Sequence, residues 1–280
     1  MGLGRAGHMT FVPHAVRIGA DAASVDVWLL HGILGSGSNL RSLAVTLTRQ
    51  RPELRLWLVD LRNHGRSQGA PPPHTIAGCT ADLDALARHL GHTPQVVIGH
   101  SFGGKVALAW GARARPGLRQ VWMLDASPAP GHLSAAPSSE DDVEALIAAL
   151  RSIALPLPQR HDAVTALIAR GFPRHIGQWM TTNLRSTTAG YQWVFSLDAI
   201  EAMLASHAAT DLWSVLESPP PGVRLHLVRA ERSRRWTEPT LRRLLAIEHG
   251  ATRLHILADA GHWLHVDQPA ALVSLLNQWL

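Results

Sequence analysis

Val96-Val97-Ile98-Gly99-His100-Ser101-Phe102-Gly103-Gly104 decides the fold. An apolar, β-branched run feeds a G-x-S-x-G pentapeptide, and the helix-compatible stretch Lys105-Val106-Ala107-Leu108-Ala109-Trp110 follows. Strand, sharp turn and helix are the context in which such a serine is lifted out of the backbone with its Oγ exposed. Glycines two residues before and two after leave room for a tight turn that larger side chains would block. The N-terminus of the following helix aims free N–H groups at whatever bonds to the serine oxygen. Ser101 is therefore the candidate nucleophile; the plainer alternative is a Gly/Ser turn with Ser101 as a helix cap.

Working outward, short apolar runs alternate with helical patterns, as in a mostly parallel sheet flanked by helices. Strands are expected at 25–30, 54–59, 95–99, 121–124, 223–228 and 253–257, with an edge strand within 11–18. Most are continuously apolar, which suits burial on both faces. Helices are expected at 40–48, 76–90, 101–114, 239–248 and 269–280. From about 127 to 216 the alternation breaks. That interval reads as all-helical, with helices at 143–153, 162–170, 175–184, 197–206 and 211–216, the first opened by the acidic run Ser139-Glu140-Asp141-Asp142. An insertion between two strands lies over the carboxyl edge of the sheet, where ligands bind in such folds. Residues 1–126 and 217–280 are thus expected to form a core and 127–216 a cap. The prolines of Ser218-Pro219-Pro220-Pro221-Gly222 mark the return from cap to core.

Composition narrows the function classes. The chain has 280 residues, is 46% hydrophobic and carries a formal charge of +5, which suits one α/β domain with a full core. Cys79 is the single cysteine, so neither an intrachain disulfide nor a cysteine metal cage is expected. The first twenty residues lack the apolar core of a secretory signal, and no stretch reaches the ~20 apolar residues of a membrane helix. A cytoplasmic protein is the expectation. The arginines are scattered without interleaved aromatics, which argues against nucleic acid. No H-E-x-x-H, G-x-G-x-x-G or Walker loop is present, so neither a metal nor another cofactor is expected.

A serine hydroxyl needs a base within hydrogen-bond reach, and the base needs a carboxylate to fix its tautomer. Among 17 histidines, position decides. His262 lies between the last strand and the final helix, in the chain order Ser … His that a G-x-S-x-G elbow demands; His265 is its local rival. Two carboxylates compete for the acid. Asp125 ends the strand 121–124, while Glu231 stands in Arg229-Ala230-Glu231-Arg232-Ser233 after the strand 223–228. Both loops open on the carboxyl edge. A developing oxyanion needs preorganised donors, and losing one costs about 10²–10³ in rate. The Phe102 N–H, just after the elbow, and the Ile33 N–H, in His31-Gly32-Ile33-Leu34-Gly35, are the candidates. Asp60-Leu61-Arg62-Asn63-His64-Gly65-Arg66-Ser67 reads as a brace of side chains on backbone, with a direct catalytic role for His64 the lesser alternative. Lys105 reads as a helix former paired with a local carboxylate, or as a tuner of the acid.

Taken together, His31-Gly32-Ile33-Leu34-Gly35-Ser36, Asp60-Leu61-Arg62-Asn63-His64-Gly65, the G-H-S-x-G-G-K elbow, Leu124-Asp125-Ala126-Ser127-Pro128 and Gly261-His262-Trp263-Leu264-His265 resemble the abhydrolase-domain-containing protein 11-like branch of the α/β-hydrolases. The resemblance runs from about residue 25 to the end. It implies an α/β-hydrolase fold with a helical lid after the family's sixth strand, and acyl esterase or thioesterase activity without a cofactor. It matches Ser101 to the nucleophile, His262 to the base and Asp125 to the acid. Bacterial members carry Gly-Gly-Asn-Ser where this chain has Ala230-Glu231-Arg232-Ser233, a departure that keeps Glu231 in contention. A small-molecule ester or thioester is the expected substrate, bound in an apolar pocket offered by Trp179, Met180, Trp193, Met203 and Trp213, residues whose helical spacing alternatively makes them the core of the lid. A C–C hydrolase or lyase, or a small-molecule sensor on the same fold, are the alternatives. The oligomeric state is not readable.

Overall fold

A strand buried on both faces needs apolar residues at odd and even positions, and Val25–Leu30 supplies them: Trp28 and Leu30 join one apolar cluster, Val27 and Leu29 the other. The computed structural model describes residues 11–131, 142–247 and 250–280. In chain order the strands are β1 (Ala15–Ile18), β2 (Val25–Leu30), β3 (Leu54–Val59), β4 (Val96–His100), β5 (Gln120–Leu124), β6 (Leu184–Thr187), β7 (Gly190–Trp193), β8 (Arg224–Ala230) and β9 (Thr252–Leu257). Seven of them form one sheet in the order β1-β3-β2-β4-β5-β8-β9. Its pairings are parallel except at the β1 edge.

Eleven helices are described: α1 (Arg41–Gln50), α2 (Ile76–Leu90), α3 (Phe102–Gly111), α4 (Val143–Arg151), α5 (Arg160–Ile168), α6 (Arg174–Thr181), α7 (Leu197–Ala209), α8 (Trp213–Glu217), α9 (Glu238–Ile247), α10 (Leu264–Asp267) and α11 (Pro269–Trp279). The apolar sides of α1 and α11 pack on one face of the sheet, and those of α2 and α3 on the other. Among the described residues no helix is long and apolar enough to cross a membrane.

The interval between β5 and β8 holds α4 to α8, and it is not all-helical. After α6 the chain turns into the antiparallel hairpin β6–β7, and Leu157 adds a bridge to Tyr191. The helix expected through residue 184 ends at Thr181, because the polar and β-branched run Ser186-Thr187-Thr188 followed by Gly190 favours an extended turn-back over a third helical turn. The insertion follows the fifth strand and not the sixth, because among the described residues a single strand, β1, precedes β2. Residues 139–141 of the acidic run lie outside the described residues. Asp142 caps α4, its carboxylate accepting the Ala145 N–H at 2.9 Å.

Insertion and core are pinned by buried polar contacts. Asn63 makes a two-way pair with the Ser196 backbone, 2.9 Å in each direction, and Ser206 Oγ accepts the Ile76 N–H at 3.0 Å. Lys105 is the strongest pin. Its ammonium is wholly buried and donates to the carbonyls of Ala129 (2.8 Å), His207 (2.9 Å) and Thr210 (2.9 Å). His207 and Thr210 close α7, where carbonyls lack intrahelical partners and the helix dipole favours a cation. Burial pulls the Lys105 amine down to about 8, against the upward pull of Asp211. Among the described residues Lys105 thus bonds to carbonyls rather than to a carboxylate, and it ties α3 to the insertion. Lys105→Met keeps the stem, removes the ammonium from the Ala129 and Thr210 carbonyls and leaves the His207 carbonyl with the Thr210 N–H alone. It is expected to lower unfolding free energy by about 3 kcal/mol in urea titrations; a change within error would remove the pin from the account.

Candidate active site

The turn from β4 into α3 is so tight that side chains are excluded on both flanks. A Cβ on Gly99 would lie 2.0 Å from the Gly103 carbonyl oxygen, and one on Gly103 would lie 2.5 Å from that of His31. Between them Ser101 is held at φ 53°, ψ −119°, a strained conformation for a residue with a side chain. The strain presents Oγ to the last loop of the core. There His262 Nε2 accepts from Ser101 Oγ at 3.0 Å, and His262 Nδ1 donates to Asp125 Oδ2 at 2.7 Å. All three side chains are buried.

Asp125 leaves β5 at φ 45° and carries four donors. Besides His262 these are Ser233 Oγ on Oδ2 (2.6 Å), and Trp236 Nε1 (2.7 Å) and the Ala230 N–H (3.2 Å) on Oδ1. Burial raises its carboxyl above the ordinary carboxylate range, and the hydrogen bonds from Ser233, Trp236 and Ala230 counter that rise. Burial holds the His262 imidazole well below its usual value, with Arg235 and His265 adding to the effect, so the ring is a neutral acceptor toward Ser101. His100 donates from Nε2 to the His262 carbonyl at 2.8 Å, and the two rings lie 4.7 Å apart. His262 is thus held through its backbone as well as its ring.

Glu231 is elsewhere. It is exposed, and its carboxylate accepts the Asp259 N–H at 2.9 Å, holding the loop after β9. Of the two competing carboxylates the structure brings Asp125 to His262. The residue that the later loop does contribute is Ser233, a donor to Asp125. Its place beside a carboxylate-bearing edge was visible in the sequence, but its partner was not. Trp236 gave no signal at all.

The second wall is the loop after β2. Gly32 lies close to Ser101; a Cβ there would sit 3.4 Å from the serine Cβ. Leu34 has φ 58°, and both its backbone groups are held: its N–H donates to His64 Nε2 (3.0 Å) and its carbonyl accepts from Asn183 Nδ2 (2.8 Å). His31 accepts the Leu61 N–H on Nε2 (2.9 Å) and donates from Nδ1 to the Gly32 carbonyl (2.7 Å). Burial pushes His31 to about 4 and His64 to about 3, so both rings are neutral near pH 7 and can accept backbone N–H groups. Arg62 and Asp82, paired bidentately at 2.7 and 2.8 Å, anchor the neighbouring loop. His64 thus braces the backbone beside Ile33. Phe102 opens α3, so its N–H has no carbonyl acceptor within the helix.

Ser101, His262 and Ile33 line one narrow cavity of about 40 Å³, closed by Trp179 and Leu146 from the insertion and by Trp263. Of the five apolar residues expected to offer the pocket, Trp179 is the one on this lining. Met180, Trp193, Met203 and Trp213 are buried in the apolar interior instead, Met180 and Met203 on the inward sides of α6 and α7, Trp193 at the end of β7 and Trp213 at the start of α8. Arg235 and His265 bring polar atoms to the same lining. Among the described residues no group of three or more His, Cys, Asp or Glu is placed to hold a metal ion.

A profile of the alpha/beta hydrolase family matches residues 29–275. Mouse sn-1-specific diacylglycerol lipase ABHD11 is 28% identical over 93% of this chain and 82% of its own length. Esterase YbfF of Escherichia coli is 27% identical over 90% of this chain and 91% of its own length. Among solved structures, a marine microorganism esterase superposes with a TM-score of 0.80 at 24% identity, over 96% of this chain and 100% of that one. A thioesterase domain from the curacin biosynthetic pathway does so with a TM-score of 0.67 at 20% identity, over 94% of each chain. The two structures show the shared fold, and the profile extends it across most of the sequence: the chain belongs to the alpha/beta hydrolase family, in its ABHD11-like branch.

Proposed function

We propose that this protein is a serine hydrolase that cleaves carboxylic esters or thioesters of small to medium acyl groups through an acyl-enzyme. One observation carries the reading: the relay Ser101–His262–Asp125, at 3.0 and 2.7 Å, opening on a cavity with an apolar wall. The esterases and lipases among its relatives support ester hydrolysis in general.

Ser101 Oγ attacks the acyl carbonyl as His262 Nε2 takes its proton. Asp125 stabilises the imidazolium across the 2.7 Å bond. The N–H groups of Ile33 and Phe102 receive the oxyanion. His262 returns the proton to the leaving oxygen or sulfur, and water then releases the acid by the same steps. Residues 127–216 act as the cap, with Trp179 and Leu146 facing the acyl chain.

Ser101→Ala is expected to abolish labelling by a fluorophosphonate probe and to cut hydrolysis of p-nitrophenyl esters by about 10³-fold or more. A labelled serine elsewhere would overturn the assignment. Asp125→Asn should cost far more in kcat than Glu231→Gln, and the reverse order would move the acid to the later loop.

The pH profile has a fixed sign. His262 works unprotonated, so kcat/KM is lost as pH falls through its pKa. Burial and the Arg235 charge lower that pKa, placing the acid limb below the ordinary imidazole value of about 6.5. Arg235→Gln removes a positive charge, so its acid limb should move to higher pH. A limb that stays in place would take Arg235 out of the electrostatics of the base.

A further inference from the structure

Across the loop that follows β2 from the catalytic cavity lies a second, larger groove of about 440 Å³. Three guanidinium groups border it, each from a different part of the chain. Arg41 opens α1, Arg66 follows β3 and Arg185 lies on β6 of the insertion. All three are exposed, and none has a hydrogen-bonding or ion-pair partner among the described residues. Elsewhere the chain does pair arginines, as in Arg55–Asp26, Arg62–Asp82 and Arg115–Asp84.

The groove also holds His14, whose Nε2 is buried without a partner. The carboxylate on its lining does not neutralise the cluster by pairing with a guanidinium. Asp60 is committed to backbone, accepting the Gly37 N–H on Oδ1 (2.7 Å) and the Arg66 N–H on Oδ2 (2.9 Å). Three cations bordering one groove, none of them ion-paired among the described residues, repel one another, and that cost is relieved when an anion sits between them. The guanidinium fork matches phosphate oxygens bidentately, and three forks around one groove suit a group with several such oxygens.

We infer that the Arg41–Arg66–Arg185 groove is a binding site for a phosphate-bearing small molecule. Its wall is the catalytic loop itself. Ser36, Gly37, Ser38 and Arg41 face the groove, while Gly32, Ile33, Gly35 and Leu40 line the cavity. Asn183 borders the groove and donates to the Leu34 carbonyl. An anion bound here therefore touches the segment that positions Ile33, whether the phosphate is part of the substrate or of a free ligand.

The test is calorimetric titration of pyrophosphate into the full chain at low ionic strength. Two double variants accompany it: Arg41→Gln with Arg185→Gln, and Arg88→Gln with Arg113→Gln, which removes the same charge away from the groove. One saturable site is expected in the parent and in the second variant, with about tenfold weaker binding or worse in the first. Equal weakening in both variants, or no saturation in the parent, would overturn the site. Thermal unfolding of each variant separates lost binding from lost fold, and binding is read without turnover, so it stands apart from the hydrolase assignment. Kinetics then separates the two sources. A free ligand makes pyrophosphate change kcat/KM for p-nitrophenyl acetate in the parent and not in the groove variant. A substrate phosphate makes the groove variant lose more kcat/KM for a phosphate-bearing ester than for p-nitrophenyl acetate, and makes pyrophosphate without effect on p-nitrophenyl acetate in the parent.

Discussion

The fold turns on a close approach of backbone to backbone. Where β4 becomes α3, the Gly99 position lies so near the Gly103 carbonyl that a Cβ would overlap it. Gly103 in turn packs on the end of β2, where a Cβ would lie 2.6 Å from the Leu30 carbonyl oxygen. One tight corner therefore fixes three things at once. It places the central strand against its helix, brings the loop after β2 beside the serine, and holds Ser101 in a conformation that the surroundings must over-determine. The elbow is accordingly embedded in the most buried part of the sheet, with every residue of β4 and β5 inaccessible.

The second constraint is a charge taken out of water. A buried carboxylate is tolerated when its lone pairs are filled, and Asp125 has donors on both oxygens. Three of the four come from β8 and the loop after it, which also offers the competing carboxylate, Glu231. Ser233 stands there with a hydroxyl and supplies a hydrogen bond to Asp125. The two loops have divided the work: the earlier one carries the charge, and the later one solvates it. A carboxylate at position 233 would face Asp125 at hydrogen-bonding range, two like charges in a buried site, so the serine is what makes Asp125 tenable as an anion.

How much of this was legible follows from the range of the interactions. The elbow, the strands around it and the position of His262 are local patterns, with apolar runs closed by glycines and a histidine between strand and helix. They read directly. The choice between Asp125 and Glu231 did not, because both follow strands that end on one edge, and their separation is set by sheet order rather than by neighbours in sequence. The β6–β7 hairpin was missed because its strands are short and half-exposed, leaving a weak period-two signal beside a strong helical one. Lys105 misled for the reason that its partners are carbonyls. Backbone acceptors leave no trace in composition, whereas a carboxylate partner would have shown as a nearby Asp or Glu.

Leu34 shows why the insertion is more than a cover. A leucine at φ 58° is costly for a residue with a side chain, so it persists only where other contacts hold it. Its N–H is held by His64 from the core and its carbonyl by Asn183 from the insertion. Asn183 is buried at the junction between α6 and β6, and its own carbonyl accepts the Val194 N–H at 2.8 Å, just beyond β7. The hairpin and the loop after β2 are thus joined through one amide side chain. Any shift of the insertion relative to the core loads directly onto the strained residue next to Ile33. The backbone geometry beside Ser101 is therefore a joint property of core and insertion, set where a neutral histidine on one side holds the Leu34 N–H and an asparagine on the other holds the Leu34 carbonyl.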